Sequence, residues 1–278
     1  MKNHPEFVYC MMAASLIGAV IVPIDPRSRG NKLTYQVRDS NSKGIIFSNE
    51  YAPEVIKTLE EIPQVKVIGI LYKPGFETPR CEQYPDLAAF LNGPNADPPA
   101  ERNRDPRSPF EIIYTSGTTS RPKGAMHCHL AVVMAVMSNA IEMHLDRNDG
   151  ITGQFPLFHC AGHVLLLSYL SVGGRMALMR GFDPVVCMEA IVRDKLTVFV
   201  GLSLMYQAIL DHPRRREYDL SGLKACIYTM APMSRPLLER AMADMCPNFV
   251  LTSGQTEMYP ATTMSQPDRQ LERFGNYW

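Results

Sequence analysis

The chain carries no surplus of charge. Lysine and arginine number 28, aspartate and glutamate 28, and the formal net charge at pH 7 is zero. That removes the bulk electrostatic reason to expect nucleic acid or an anionic membrane as partner, so any bound anion must be held by a local site. The seven cysteines, Cys10, Cys81, Cys128, Cys160, Cys187, Cys226 and Cys246, contain no CxxC pair. Their scatter gives no zinc-ligand spacing and points to reduced thiols in a cytoplasmic setting. No repeat period and no low-complexity tract is present. A Walker A loop is missing too, because no Gly-Lys-Ser/Thr sequence occurs. No signal-peptide pattern opens the chain: MKNHPEF has one lysine, and no cleavage site follows the apolar run behind it.

That run, Val8–Ile24 (VYCMMAASLIGAVIVPI), is the longest apolar stretch. Gly18 and Pro23 interrupt it, and Asp25 and Arg27 follow. A membrane span needs about twenty apolar residues. The run is read as a buried helix entering a buried strand, with a membrane anchor as the alternative. Hydrophobic residues make up 46% of the 278 and charged residues 20%, which suits a chain with a real core and one or two domains.

Helix-like and strand-like segments alternate. Helical spacing covers Pro5–Leu16, Lys32–Asp39 and Pro53–Glu61; strands are read at Ala19–Pro23, Gly44–Ser48 and Val65–Leu71. The alternation predicts an α/β fold with a parallel or mixed sheet flanked by helices. Residues 92–109 break the pattern with five prolines and alternating charges. They are read as an exposed junction between two lobes, or as a long surface loop within one. Beyond them strands are expected at Phe110–Thr115, Ile151–Phe155, Arg175–Met179, Thr197–Val200, Leu223–Thr229 and Phe249–Thr252. Helices are expected at Leu130–Met143, Val164–Leu170, Pro184–Asp194, Leu204–Asp211 and Ser234–Met245.

One loop stands out. Tyr114–Gly124 reads YTSGTTSRPKG, placed between a predicted strand and a predicted helix. Hydroxyls, backbone N–H groups and one lysine are the donors that hold a phosphate chain, and glycine lets backbone approach closely. Thr115, Ser116, Thr118, Thr119 and Ser120 supply hydroxyls, Gly117 and Gly124 freedom, Pro122 stiffness and Lys123 charge. The alternative is a mobile linker rich in serine, threonine and glycine.

This loop resembles the signature of the adenylate-forming superfamily, which includes acyl- and aryl-CoA synthetases, luciferases and peptide-synthetase adenylation domains. The departure is Ser120, where that family usually has glycine. LIGAVIVPIDP (Leu16–Pro26), QFPLFHCAGH (Gln154–His163), APMS (Ala231–Ser234) and GQTE (Gly254–Glu257) resemble its further motifs in the right order. The resemblance implies that residues 1–278 are a partial large N-terminal domain of the acyl-CoA synthetase-like fold. A catalytic-lysine domain and the ribose-binding TGD-type motif are expected to be absent from them, so the chain is expected to be incomplete for full turnover.

The resemblance also implies a reaction. ATP activates a fatty or aryl carboxylic acid to an acyl adenylate, and coenzyme A takes the acyl group. Thr115, Ser116, Gly117, Thr118, Thr119 and Lys123 would grip the β- and γ-phosphates. Ala231, Pro232, Ser253, Gly254 and Gln255 would border adenine, Thr256 the α-phosphate, and Glu257 would ligate Mg²⁺. Lys123, Thr256 and Glu257 are the expected catalytic set. Without the GQTE context, Glu257 reads as a solvated surface charge. The family usually stacks an aromatic residue where this chain has Ser253, and Tyr228 is a candidate substitute. His159, Gly162, Met205 and Tyr206 are expected at the acyl pocket, although a core histidine and ordinary apolar core explain them as well. Cys160 reads as a structural thiol, with no catalytic dyad in view. PLFHCAGH holds no acid to pair with an ammonium group, which argues against an amino-acid substrate. No nucleic-acid partner and no membrane span is expected. The alternative function is a non-catalytic, nucleotide-binding remnant.

Overall fold

The computed structural model describes residues 1–76, 81, 83–93, 105–115, 121–259 and 261–275. The chain divides into two compact units, Met1–His129 and Leu130–Trp278. Residues 94–104, the centre of the expected junction, lie outside the described residues.

In the first unit, helices α1 (Pro5–Ile17), α2 (Gly30–Asp39) and α3 (Ala52–Glu61) alternate with strands β1 (Gly44–Ser48) and β2 (Lys66–Leu71), and a short α4 (Leu87–Leu91) follows. β1 and β2 pair in parallel. α2 turns Leu33 and Val37 inward and α3 turns Val55 and Leu59 inward, all packed with Phe47 and Ile70 from the strands. Two expectations change here. The strand read at Ala19–Pro23 is a single bridge: Ile21 N–H donates to the Phe110 carbonyl and the Ile21 carbonyl accepts from Ile112 N–H. Pro23 and Pro26, which have no N–H, prevent a longer ladder. And α1 is not a buried helix. Only Met11 is fully enclosed, while Tyr9, Leu16 and Ile17 are exposed. The helix is apolar on every side, so packing one face leaves others open. Gly18 ends it in the left-handed region at φ 75°. No helix among the described residues is long and apolar enough to cross a membrane.

The unit closes with β3 (Pro109–Tyr114) and β4 (Gly124–Cys128), an antiparallel pair in which Tyr114 faces Gly124. The expected strand–loop–helix order is therefore strand–loop–strand. Helix α5 (His129–Glu142) begins only after β4.

The second unit is a six-stranded sheet. Its strands are β5 (Gly150–Gly153), β6 (Arg175–Leu178), β7 (Val198–Gly201), β8 (Ala225–Thr229), β9 (Phe249–Gly254) and β10 (Ala261–Ser265). They lie in the order β10-β9-β8-β7-β5-β6, and only β10 runs antiparallel to its neighbour. The connecting helices are α6 (Cys160–Ser171), α7 (Pro184–Arg193), α8 (Ser203–Leu210) and α9 (Arg235–Asp244). Side chains alternate across the strands. Phe199, Cys226, Tyr228 and Phe249 enter a core with α7, α8 and α9. Val198, Val200, Ile227 and Val250 enter a separate one that includes Tyr169 of α6. Helices on both faces are what a largely parallel sheet requires, since neither face can meet water.

Candidate functional site

The neck of the glycine–hydroxyl loop is fixed by backbone. Thr115 N–H donates to the Lys123 carbonyl at 2.9 Å, one step beyond the Tyr114–Gly124 pair. Residues 116–120 lie outside the described residues, so the expected roles of Ser116, Gly117, Thr118 and Thr119 fall there. At the neck, the Tyr114 hydroxyl donates to Asp39 at 2.6 Å, and Arg121 stands 5.5 Å over the Tyr35 ring. Burial pushes the Tyr114 phenol well up from its ordinary pKa, and the Asp39 carboxylate adds to the shift, so it stays a donor. Lys123 is exposed at the end of the loop. The neck is thus closed by backbone and side-chain hydrogen bonds, with Lys123 beside it.

In the second unit a cavity of about 250 Å³ opens at the carboxyl ends of β7, β8 and β9. The two neighbours of β5 lead in opposite directions along the sheet, and such a reversal is where open α/β sheets bind ligands. Thr252, Ser253, Gly254, Gln255 and Thr256 form one wall. His159, Cys160, Val164 and Leu165 of the α6 segment form another; Val200 and Ile227 line it from the sheet and Phe155 from just beyond β5. Among the described residues, no Asp, Glu, Lys or Arg lines it.

The walls are held by local chemistry. α6 starts at Cys160 after the extended His159, and Cys160 Sγ lies 3.7 Å from Thr256 Oγ1. Phe158 and His159 pack in a tilted contact with ring centroids 4.6 Å apart. Gly162 packs on the preceding turn so closely that a Cβ there would sit 2.3 Å from the Pro156 carbonyl oxygen. Gly162 thus seats the start of α6 without lining the cavity. Thr229 Oγ1 donates to the Thr252 carbonyl at 3.0 Å, tying β8 to β9.

The structure brings His159, Ser253, Gly254, Gln255 and Thr256 to one cavity. It does not bring Met205, Tyr206, Ala231 or Pro232 into its lining. Tyr206 is wholly buried and donates its hydroxyl to the Ile227 carbonyl at 2.7 Å; Met205 packs against both cores, including the one whose Phe155, Val200 and Ile227 line the cavity, without lining it itself. The Pro232 carbonyl accepts from Ser203 Oγ at 2.7 Å. Tyr228 cannot replace a stacking ring. It points to the opposite face from Ile227, is 1% exposed, and donates to Gln270 Oε1 at 2.9 Å. Strand alternation forces this choice.

Sequence reasoning missed Met230 and Asn139. Met230 follows β8 at φ 64° and lines the cavity, with the Ala231 N–H closing the turn onto the Thr229 carbonyl at 2.8 Å. A non-glycine residue with positive φ is uncommon, and its side-chain type gives no signal for it. Asn139 sits on α5, and only the folded chain places it near α6.

Glu257 is exposed in the turn Thr256–Met258. Among the described residues no group of three or more His, Cys, Asp or Glu side chains could hold a metal ion. Mg²⁺ ordinarily takes one or two carboxylates and completes its shell with water and substrate phosphates. An exposed single carboxylate therefore fits a magnesium ion that arrives with a nucleotide.

Comparison with known proteins identifies the family and the fold. The AMP-binding enzyme family model matches residues 1–276. A feruloyl-CoA synthase from Amycolatopsis sp is 29% identical over 99% of this chain and 52% of its own length. A 2-succinylbenzoate–CoA ligase from Geobacillus sp. (strain WCH70) is 25% identical over 99% of this chain and 51% of its own. The inhibitor-bound N-terminal domain of FACL13 from Mycobacterium tuberculosis superposes with a TM-score of 0.86 at 24% identity, covering 100% of this chain and 67% of that one. That likeness shows the fold. The chain spans about half the length of these curated relatives.

Proposed function

The chain belongs to the AMP-binding enzyme family, and from that premise we propose that it takes part in ATP-dependent activation of a carboxylic acid. The acid carboxylate attacks the α-phosphorus of ATP and pyrophosphate leaves; the thiol of coenzyme A then attacks the acyl carbonyl of the adenylate, and AMP leaves as the thioester forms. The observation that carries this reading is the uncharged cavity of about 250 Å³ walled on one side by the Ser253–Thr256 segment. It offers an apolar berth for an acyl group directly beside hydroxyls suited to a phosphate.

In this reading Thr115 and Lys123 hold the β- and γ-phosphates, and Ser116, Gly117, Thr118 and Thr119 complete the grip. Thr256 meets the α-phosphate. Ser253, Gly254 and Gln255 border the base, with Ala231 and Pro232 on the adjoining segment. Glu257 holds Mg²⁺, which neutralises phosphate charge when bound. Lys123, Thr256 and Glu257 do the catalytic work by positioning and charge stabilisation, as this class of phosphoryl chemistry requires. No general base is needed, because a carboxylic acid is already ionised at neutral pH. His159 acts as a wall at the pocket entrance, and Gly162 fixes the helix that bears it. The seven free thiols suit a reducing cytoplasm.

The relatives' names specify different acids, so the acid class must come from this chain's own cavity. Isotope exchange between pyrophosphate and ATP over a panel of acids tests the reading. Acid-dependent exchange supports it. Nucleotide binding with no exchange for any acid would instead make the chain a binding module. Lys123→Ala is expected to weaken Mg–ATP binding about tenfold and leave AMP binding unchanged. Equal weakening of both would remove Lys123 from the phosphate site.

A further inference from the structure

The polar groups of the cavity form two sets. One is the Thr252–Thr256 wall, assigned above to the nucleotide. The other is Asn139, Ser168 and Tyr169, on α5 and α6. Cys160 touches Thr256, and Ser168 follows eight residues along α6. At 1.5 Å per residue that is about 12 Å from the nucleotide wall. Ser168 Oγ donates to the Val136 carbonyl of α5 at 3.4 Å, one helical turn from Asn139. The second set is therefore the far end of the cavity.

Two of its three members lack partners. Asn139 is 9% exposed, and its side-chain amide makes no hydrogen bond among the described residues. Tyr169 is 1% exposed, and its hydroxyl has no partner either. Around them the lining is apolar, with Met143, Leu145, Phe155 and Leu165. A buried polar group left unpaired is costly, and native proteins rarely keep one without purpose. Leucine and phenylalanine at these two positions would serve a plain hydrocarbon acid without that cost. The volume also argues for a small occupant. About 250 Å³ lies below the usual range of roughly 300–1,000 Å³ for small-molecule sites.

We propose that Asn139 and Tyr169 form a specificity subsite for a hydroxyl at the far end of the acid, so that the substrate is a compact acid bearing a hydroxyl remote from its carboxylate. This rests on reading the cavity as the acyl pocket. A hydroxyl both donates and accepts, and so does a carboxamide. The Tyr169 phenol donates to the same oxygen. A site built to bond a hydroxyl rejects the analogue that lacks it far more strongly than a greasy pocket rejects an extra methylene.

Calorimetric titration of the 278-residue chain with a matched pair tests this: a 4-hydroxyphenyl alkenoic acid and its deoxy analogue, with Mg–ATP titrated separately. The hydroxylated acid is expected to bind about tenfold tighter. Asn139→Leu is expected to reduce that ratio to within about twofold by weakening the hydroxylated acid and tightening the deoxy one. Tyr169→Phe removes a single oxygen and is expected to reduce it in part, which keeps the test open should Asn139→Leu fail to fold. Equal binding of the two acids to the unaltered chain, or a ratio that survives both substitutions, overturns the subsite and leaves the acyl pocket standing. Binding of Mg–ATP with no binding of either acid overturns the pocket and the subsite together. Discrimination between the acids without nucleotide binding supports the subsite and counts against the proposed reaction instead.

Discussion

The two units build their binding features in opposite ways. In Met1–His129 the glycine–hydroxyl loop proposed to hold phosphate is one contiguous stretch, closed at its neck by the Thr115–Lys123 backbone bond between two short antiparallel strands. In Leu130–Trp278 the cavity draws on α5, α6, β7, β8 and β9, so residues more than a hundred positions apart share it. A polyanion needs closely spaced donors, which one segment supplies from its own backbone. An apolar group needs enclosure, which a single segment cannot provide. The first feature should therefore tolerate damage to distant packing, and the second should not.

The largest expected effect bears on that packing. Asp149, just before β5, is buried and accepts from the Lys224 ammonium, from the Thr197 hydroxyl at 2.8 Å and from the Asp146 N–H at 2.9 Å. Burial pushes its carboxyl up, but those hydrogen bonds and the charge of Lys224 hold the net pKa below the ordinary value. Asp149→Ala is expected to cost about 3 kcal/mol, the low end for removing one member of a buried pair, because Lys224 keeps some contact with water. Hydrogen exchange should show the loss in β5, β7 and β8 while the β3–β4 hairpin keeps its protection. The pH dependence has a fixed sign. A depressed carboxylate contributes its stability above the unfolded-state pKa of about 3.9 and loses it as pH falls through the lower folded value. The gap between the unaltered chain and Asp149→Ala should thus be flat from pH 5 to 8 and close below about pH 4. A gap that widened in acid would contradict the pairing.

Next in size is Gly162→Ala. Alanine in a helix interior ordinarily gains about 1 kcal/mol over glycine. Here the new Cβ would meet the Pro156 carbonyl oxygen at 2.3 Å and its carbon at 2.9 Å, both backbone atoms that cannot swing aside. The clash outweighs the propensity, and a net loss of about 2 kcal/mol is expected in thermal or denaturant unfolding. Acid binding should fall as α6 shifts. A stabilised variant would mean that the turn before α6 yields, and that the cavity is less firmly built than its packing implies.

The same contrast explains what could be read in advance. Alternation and helical spacing located α2, α3, α7, α8 and α9 to within a residue or two, because each buries one clear stripe. The loop was legible for its residue types and order. Strand β4 was not: GAMHC has no β-branched residue, and only its pairing with Pro109–Tyr114 makes it a strand. The cavity wall at Thr252–Thr256 could be reached through the GQTE motif. Its far end could not, since Asn139 reads as an ordinary polar position on a helix that otherwise exposes Val133, Met134 and Met137. Met205 and Tyr206 were drawn toward the pocket by their apolar character, whereas strand and helix direction send Tyr206 under the sheet to the Ile227 carbonyl.

The smallest expected effect bears on where the nucleotide base would lie. Ser253 lines the cavity on β9, paired with Thr263, where relatives of this fold were expected to carry a ring. Tyr228 is committed to the other face and does not supply a stack there. Ser253→Phe is expected to tighten AMP binding about fivefold, equivalent to about 1 kcal/mol for an offset aromatic stack. ATP should gain by the same factor, because the ring touches the base and not the phosphates. The Lys123→Ala loss, confined to ATP, should then add to that gain with little interaction, as for separate sites. Should the new ring leave AMP unchanged and weaken acid binding instead, position 253 faces the acyl space. The base would then have to be sought beside Met230, the strained residue at the end of β8.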